Sequence, residues 1–351
     1  MDHAMRLPAI PKIDTVAQAE ALRRHNSLTK PAGSLGRIEE LGIQLAAITG
    51  KVKPSVARKA VIVMAADHGV AREGVSAYPQ EVTAQMVLNF LRGGAAINVL
   101  ARQADARVVV VDMGIASELP KHTQLENRRI AAGTQNLLLG PAMTRAQATS
   151  AIEAGIAVLE AQYARGLDLV ATGDMGIGNT TASAAIVSVL TALPPNKVTG
   201  RGTGVDDAGM QRKIAAIECA IALNRPDRSD VLDVVAKVGG FEIAGLAGVI
   251  IAAASRRVPI VVDGFISGAA ALIAAGLEPD VKPYLFAGHR SVEIGHHATL
   301  EHLGLRPLLD LDLRLGEGTG AVLAFHLFEA AARILSEMAT FSEASVTSKP
   351  A

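Results

Sequence analysis

The sequence predicts an α/β protein with a mostly parallel sheet that helices cover on both faces. Short apolar segments rich in β-branched residues recur along the chain, and Ala-rich segments with helical periodicity separate them. The apolar segments are nearly continuous rather than alternating, as in strands that are buried on both faces. This alternation of strand and helix favours parallel pairing in three layers.

The predicted strands come first in this scheme, and they cover residues 60–65, 107–112, 167–171, 258–263, 282–287 and 307–311. The predicted helices between them cover residues 82–101, 146–164, 182–193, 208–223, 240–255 and 268–275. The N-terminal segment differs, because two helices over 15–25 and 34–49 precede any strand. A last helix covers 321–338. We therefore expect a small helical domain from residues 1–58 and 321–351, and a large α/β catalytic domain over 59–320.

Composition excludes several classes of protein. The 351 residues include 34 basic and 34 acidic side chains, 3% aromatic residues and no Trp, which argues against a nucleic-acid partner. The one cysteine, Cys219, can form neither an internal disulfide nor a Cys-based zinc site, and we expect it to be buried and inert. The uncharged stretch 175–196 predicts a buried helix rather than a membrane span. With no signal peptide evident, we expect a cytoplasmic protein without membrane insertion.

Polar residues and glycines follow several of the predicted strands. They occur at 67–69, 112–114, 173–176, 263–264 and 288–290. The carboxyl ends of parallel strands meet at one edge of a sheet, where ligands of open α/β proteins bind. Ordinary turns and helix caps are the alternative for any one of them. Five such positions together indicate a site.

Three glycine-rich segments carry the candidate chemistry. Residues 173–181 (GDMGIGNTT) join a predicted strand to a helix and suit a phosphate or carboxylate, although the spacing matches neither standard nucleotide motif. Residues 199–207 form a glycine loop ahead of Lys213, which also suits phosphate. Glu317 lies among glycines before a helix and could act as a general base. A capped turn, an exposed lysine and a helix-capping turn are the respective alternatives.

The histidines do not form a strong metal motif. His289, His296, His297 and His302 cluster in sequence, but their spacing is not that of a zinc helix. Surface or loop positions are expected for them. We predict neither a metal nor a cofactor.

Nine motifs in collinear order resemble the nicotinate-nucleotide–dimethylbenzimidazole phosphoribosyltransferase family. They are KPAGSLG at 30–36, ADHGV at 66–70, GVSAYP at 74–79, GTQN at 133–136, GDMGIGNTT at 173–181, VGGFE at 238–242, VDGF at 262–265, GHRS at 288–291 and GEGTG at 316–320. The resemblance covers about residues 25–335. It implies a Rossmann-like sheet, a small helical domain from both termini, and a homodimer.

The resemblance also implies a reaction. Phosphoribosyl moves from nicotinate mononucleotide to 5,6-dimethylbenzimidazole, which gives α-ribazole 5′-phosphate for the lower ligand of cobalamin, with inversion at the anomeric carbon. Glu317 would be the general base and Lys213 would neutralise the phosphate. Asp174 stands where the family more often has Glu, so its shorter side chain favours an electrostatic or water-mediated role over an essential proton transfer.

The remaining residues that the resemblance implies bind the substrates. The phosphate and ribose would contact Gly176, Ile177, Gly178, Asn179, Thr180, Gly202, Gly264 and Ser291, with Asn179 or Thr180 capping the helix. The azole would contact Tyr78, Met86, Met175 and Leu315, for which core packing is the alternative. Other acceptors such as adenine or a phenol, a non-catalytic nucleotide-binding protein, and a metal-dependent hydrolase are the competing functions.

Overall fold

The computed structural model describes residues 5–202 and 204–347, and within them a six-stranded parallel sheet forms the centre. The strands are β1 (Lys59–Ala66), β2 (Ala106–Gly114), β3 (Leu125–Asn127), β4 (Leu169–Met175), β5 (Ile260–Val262), β6 (Leu285–Ala287), β7 (His289–Arg290) and β8 (Leu309–Asp310). The sheet order is β3-β2-β1-β4-β5-β6, and β7 and β8 pair in a separate parallel ribbon. The predicted α/β class with a parallel sheet is confirmed.

The strand order explains where a ligand can bind. The chain moves outward from β1 to β2 and β3, and then returns to the other side of β1 with β4. Connections therefore leave β1 and β4 in opposite directions, and ligands of open α/β sheets bind near such a point, at the carboxyl ends of the strands. Every residue of β1 is buried, and Val61, Ile62 and Val63 are fully inaccessible, because helices cover both faces of the sheet.

Helices surround the sheet and occupy both chain ends. They are α1 (Thr15–Ser27), α2 (Arg37–Thr49), α3 (Glu81–Leu91), α4 (Ala96–Gln103), α5 (Arg145–Ala164), α6 (Asn179–Thr191), α7 (Pro195–Val198), α8 (Asp207–Asn224), α9 (Val231–Val238), α10 (Phe241–Ser255), α11 (Phe265–Leu277), α12 (Ile294–Leu303) and α13 (Thr319–Glu337). The predicted buried helix after the 173–178 turn is α6, ten of whose residues are buried.

Several elements differ from the sequence prediction. The helix expected over 82–101 is two helices, because Gly93 and Gly94 interrupt it and the Asn98 side chain accepts the Ala95 N–H at 3.1 Å to start α4. The strand expected over 282–287 is only β6, because Pro279–Tyr284 forms a 3₁₀ turn. The strand expected over 307–311 shortens to β8 and pairs with β7 outside the main sheet. The sequence pattern predicted none of β3, β7, α7, α9 and α12.

The last helix connects the chain termini to the sheet. α13 packs against α1 and α2, and it also contacts β4 and β5. It is long and apolar enough to cross a membrane by length and composition, but just over half of that stretch, 56%, is buried inside the protein. Helices of protein cores have the same composition, since all of their faces meet other elements.

Candidate active site

A cavity of about 250 Å³ opens at the carboxyl ends of β4 and β5. The predicted site residues that line it are Tyr78, Asp174, Met175, Gly176, Ile177, Asn179, Thr180, Gly202, Gly264, Ser291 and Leu315. Lys213, Glu317, Gly178 and Met86 do not line this cavity. The structure thus brings together residues from the three glycine-rich segments and from the motifs that contain Tyr78, Gly264 and Ser291, as expected for the edge where parallel strands end.

The 176–178 turn forms a cradle at the N-terminus of α6. Gly178 is the residue before the helix and has φ +97°, which favours glycine. The N–H of Ile177 donates to Thr83 Oγ1 at 3.1 Å, so this group is already occupied. Within the described residues, the N–H groups of Gly176 and Gly178 have no hydrogen-bond acceptor. These two groups and the helix N-terminus make the cradle attractive to an anion.

The expectation that Asn179 or Thr180 caps α6 is wrong. No side chain caps this helix, since Gly178 occupies the capping position. The Asn179 side chain instead donates to Asp174 Oδ2 at 3.0 Å. The Thr180 hydroxyl accepts a hydrogen bond from Lys213 at 2.7 Å. Both side chains therefore connect the cradle to charged groups.

Lys213 extends from α8 to Thr180, which follows the cradle, and is buried, so the alternative of an exposed lysine is wrong. Besides Thr180, its Nζ contacts the Gly200 carbonyl at 3.3 Å. Burial lowers the pKa of Lys213 from 10.5 to about 8, although the Glu293 carboxylate acts in the opposite direction. An ammonium group without a carboxylate within salt-bridge distance, among the residues described, is therefore available next to the cradle at neutral pH.

Glu317 occupies a strained turn before α13. Its φ is +63°, and Gly316 and Gly318 on either side have φ +88°. The turn lies against β4 so closely that a Cβ added to Gly173 would lie 2.5 Å from the Glu317 carbonyl oxygen. A non-glycine residue in this conformation costs about 1–2 kcal/mol, and such strain commonly occurs at functional sites.

The side chain of Glu317 is buried, with the residue only 4% exposed, and its carboxylate accepts the N–H of Ile97 at 3.4 Å. Burial raises the pKa of Glu317, the Ile97 hydrogen bond opposes this, and the charge of Asp263 adds to it. A carboxylate with a raised pKa is a better proton acceptor at neutral pH than one at its ordinary value.

Asp174 lies near the end of β4, next to the Glu317 turn. A Cβ added to Gly316 would lie 3.4 Å from Asp174 Oδ2, which measures how close the two segments are. Burial, followed by the charges of Asp263 and Glu242, raises the pKa of Asp174 well above its ordinary value. Its Oδ1 is buried and has no hydrogen-bond partner among the described residues. Such an unpaired acceptor can interact with a cationic ligand.

Asp263 connects β5 to the start of α13. Its carboxylate accepts the N–H of Gly318 at 3.1 Å and that of Ala321 at 2.9 Å. Burial raises its pKa, while the neighbouring His289 and these N–H groups oppose the change. Asp263 thus fixes the backbone that presents Glu317 and adds to the negative field around it.

A buried ion pair supports the cradle from below. His68 Nε2 and Glu242 Oε1 are 2.7 Å apart, and neither side chain is exposed. Burial lowers the pKa of His68, but the charge and hydrogen bond of Glu242, together with the charge of Asp67, outweigh it and the net change is upward. Gly176 lies next to this pair, because a Cβ there would be 2.4 Å from the Ala66 carbonyl and 3.4 Å from Glu242 Oε1. Any side chain at Gly176 would displace the cradle.

The residues predicted for the azole do not all share one environment. Tyr78 and Leu315 line the cavity but are 55% and 59% exposed. Met175 is half-buried and also lines the cavity. Met86 packs against the main hydrophobic core.

Two further predictions are wrong. His296 is a fully buried residue of α12 and His289 is a buried residue of β7, rather than surface or loop histidines. Burial lowers the pKa of His296 to about 3. Cys219 is exposed on α8 rather than buried. Across residues 5–202 and 204–347, no group of three or more His, Cys, Asp or Glu side chains is arranged to hold a metal ion.

Six residues of the cavity wall were not among the predicted site residues. Phe265, Ile266, Glu293 and Arg314 were not proposed, Gly316 appeared only within the GEGTG motif, and His289 only within the histidine group. Phe265 belongs to the VDGF motif and was therefore within reach. Glu293 precedes α12, a helix that the sequence pattern did not predict, so no signal marked it.

The fold and the site together define a Rossmann-like α/β enzyme. A family model described as phosphoribosyltransferase matches residues 10–346. The nicotinate-nucleotide–dimethylbenzimidazole phosphoribosyltransferase of Roseiflexus sp. (strain RS-1) is 63% identical to this chain over 337 residues. The same-named protein of Dehalococcoides mccartyi (strain CBDB1) is 55% identical to it over 337 residues, and each match covers 96% of both chains. This chain belongs to the nicotinate-nucleotide–dimethylbenzimidazole phosphoribosyltransferase family.

Solved structures agree with this assignment. The crystal structure of the same-named enzyme from Thermus thermophilus is 52% identical and has a TM-score of 0.91, over 96% of this chain and 100% of that chain. A second structure, of CobT from the same organism, is 53% identical with a TM-score of 0.92, over 95% of this chain and 100% of that chain.

Proposed function

We propose that this chain transfers phosphoribosyl from nicotinate mononucleotide to 5,6-dimethylbenzimidazole and so makes the nucleotide of the cobalamin lower ligand. The observation that carries the proposal is the buried Glu317 carboxylate, whose turn lies against Asp174 at the wall of the cavity that also holds the anion cradle. Its raised pKa supplies the proton acceptor that this reaction needs and a simple binding protein does not.

The chemistry needs one base. The bond between the anomeric carbon and the pyridinium nitrogen breaks, and its electron pair neutralises the ring, so that nicotinate leaves without a proton. The azole nitrogen lone pair forms the new bond from the opposite face, which converts the β-nucleotide into an α-product. The azole N–H then becomes acidic, and its proton goes to Glu317.

The phosphate would bind between the 176–178 cradle and Lys213. The free N–H groups of Gly176 and Gly178 and the ammonium of Lys213 supply the donors. Gly202, Gly264 and Thr180 would shape this subsite, and the Ser291 hydroxyl can donate to the phosphate or ribose. Charge-assisted hydrogen bonds of this kind are about twice as strong as neutral ones.

Asp174 has an electrostatic role in this proposal. Without substrate, burial and neighbouring acids favour its protonated form. The pyridinium of the bound nucleotide is a cation, and an opposite charge favours ionisation of the carboxyl group. An ionised Asp174 would then stabilise the positive charge that develops on the ribose.

The organisation of the whole protein completes the proposal. Residues 1–58 and 321–351 form the small helical domain and residues 59–320 the catalytic domain, which the packing of α13 on α1 and α2 supports. Residues 1–4, 203 and 348–351 of this division lie outside the described residues. The protein acts as a cytoplasmic homodimer.

The test is nicotinate release by the purified protein from nicotinate mononucleotide and 5,6-dimethylbenzimidazole, with and without a chelator. Glu317→Gln keeps the side-chain size but cannot accept the proton, so kcat should fall about 10²- to 10⁴-fold. The control is Glu301→Gln, an exposed position on α12. Unchanged release in the Glu317 variant would remove the base, and no release with any azole would favour a binding protein.

A further inference from the structure

Glu293 lies beside the phosphate cradle, and the transfer described above gives it no role. It directly precedes α12, is only 8% exposed and lines the cavity. A carboxylate in this position loses its hydration and would repel a bound phosphate. We therefore expect Glu293 to make other interactions that offset its lost hydration and this repulsion.

The first contribution is mechanical. Glu293 Oε1 accepts the N–H of Gly202 at 2.9 Å. The same carboxylate packs on Gly200, where an added Cβ would lie 2.0 Å from Oε2. The backbone of residues 200 and 202 is thus fixed on the Glu293 side chain.

Lys213 holds the same backbone from its own side chain. Its Nζ contacts the Gly200 carbonyl at 3.3 Å, and a Cβ added to Gly202 would lie 2.9 Å from Nζ. The segment therefore contacts both a buried cation and a buried anion. Glu293 and Lys213 form no direct salt bridge among the described residues. The charge of Glu293 nevertheless partly offsets the lowering of the Lys213 pKa by burial.

Among the groups around Lys213, Glu293 is the charge that affects the lysine ammonium. Thr180 of α6 contributes only a hydroxyl, and Gly200 only a carbonyl. The helices α7 and α9 also pack on α8. Their charged side chains are Lys197 and the pair Asp233 and Lys237, whose charges are 2.8 Å apart and largely neutralise each other.

We propose that Glu293 is a positioning residue for the substrate phosphate, which fixes the 200–202 segment and keeps the Lys213 ammonium charged. This inference rests on the proposed function, in which Lys213 faces the phosphate. Glu293 itself makes no bond to the phosphate. It acts through Gly202 and Lys213.

Two variants separate the anchoring from the charge. Glu293→Gln retains a carbonyl oxygen for the Gly202 N–H and removes only the charge, whereas Glu293→Ala removes both. Glu301→Gln, at an exposed position on α12, is the control. Calorimetric binding of nicotinate mononucleotide is measured between pH 7 and 9, where the phosphate group is already largely dianionic.

The expected result is a change in pH dependence. Wild-type affinity should fall as the pH rises through about 8, the pKa of Lys213. In Glu293→Gln the fall should begin at lower pH, so that affinity at pH 8 is about three- to ten-fold weaker than wild type. In Glu293→Ala affinity should be weaker at every pH. Circular dichroism verifies that both variants fold.

Any of three outcomes would overturn the inference. One is a Glu293→Gln variant that binds like the wild type or is weaker by one constant factor at every pH, since a purely structural role predicts that. The second is a wild-type affinity that does not fall as the pH rises through about 8, the pKa of Lys213. The same titration with inorganic phosphate needs no turnover, so it still tests Glu293 if the wild type releases no nicotinate. A wild type that binds neither ligand also overturns it.

Discussion

Replacing Lys213 with Met should make the ligand-free protein more stable and its phosphate site weaker. Burial lowers the pKa of Lys213 from 10.5 to about 8, which corresponds to about 3 kcal/mol of unfavourable folding free energy. Below pH 8 the lysine is protonated in both the folded and the unfolded state, so the full cost applies at pH 7. From pH 8 to 10.5 the unfolded chain binds more protons, so stability rises with pH.

The net gain is smaller than this cost. Met loses the contacts of Lys213 with Thr180 Oγ1 and the Gly200 carbonyl, at about 1 kcal/mol each. About 1 kcal/mol of stabilisation remains, which raises Tm by roughly 1–2 °C for a chain of this length. Loss of the charged donor should weaken nucleotide binding about 10- to 150-fold.

Calorimetric unfolding in phosphate-free buffer at pH 7 and 10 measures the stability, and isothermal titration measures the binding. Lys121→Met, an exposed position, is the matched control. The reasoning is refuted if Lys213→Met unfolds below the wild type at pH 7. It is also refuted if the wild type gains no stability relative to Lys213→Met between pH 8 and 10.

Two other changes have clear expectations. Glu317→Gly removes the strain of a φ of +63°, so its free energy of unfolding should stay within about 1 kcal/mol of the wild-type value or exceed it. Its kcat should fall about 10²- to 10⁴-fold. A large loss of stability in a denaturant titration would contradict this. The buried His25 has a pKa below 6.5 because of burial, so the folded state binds fewer protons than the unfolded state and stability falls as the pH drops below 6.5. His25→Leu should reduce this fall between pH 7 and 5 in thermal unfolding, and an unchanged fall would assign it to other groups.

The regular part of the fold could be predicted from local sequence. β1, β4, α5 and α10 were found within a few residues, because each is a long segment with a clear apolar pattern. The break between α3 and α4 was missed although Gly93 and Gly94 are visible in the sequence. Propensity alone does not say that a glycine pair interrupts a helix, since packing often overrides it.

Much of the cavity lining could be predicted from the sequence, but its contacts could not. The glycine-rich motifs indicated residues 176–178 and Glu317 as candidates. The partner of Asn179 is Asp174, and the surroundings of Lys213 include Glu293 and Gly200, of which Glu293 is distant in sequence. Such pairings arise only when β4, α8 and the start of α12 meet at the edge of the sheet.

α13 connects the terminal helices to the proposed base, Glu317. The helix begins directly after the Glu317 turn and, at 1.5 Å per residue, extends about 28 Å while it packs on α1 and α2. A rigid helix of this length converts a small rotation at one end into a larger displacement at the other. A tilt of the terminal bundle by a few degrees would move the carboxylate by a sizeable fraction of an ångström relative to β4. In the proposed mechanism, the precision of proton transfer to Glu317 would therefore depend on residues near the far ends of the chain.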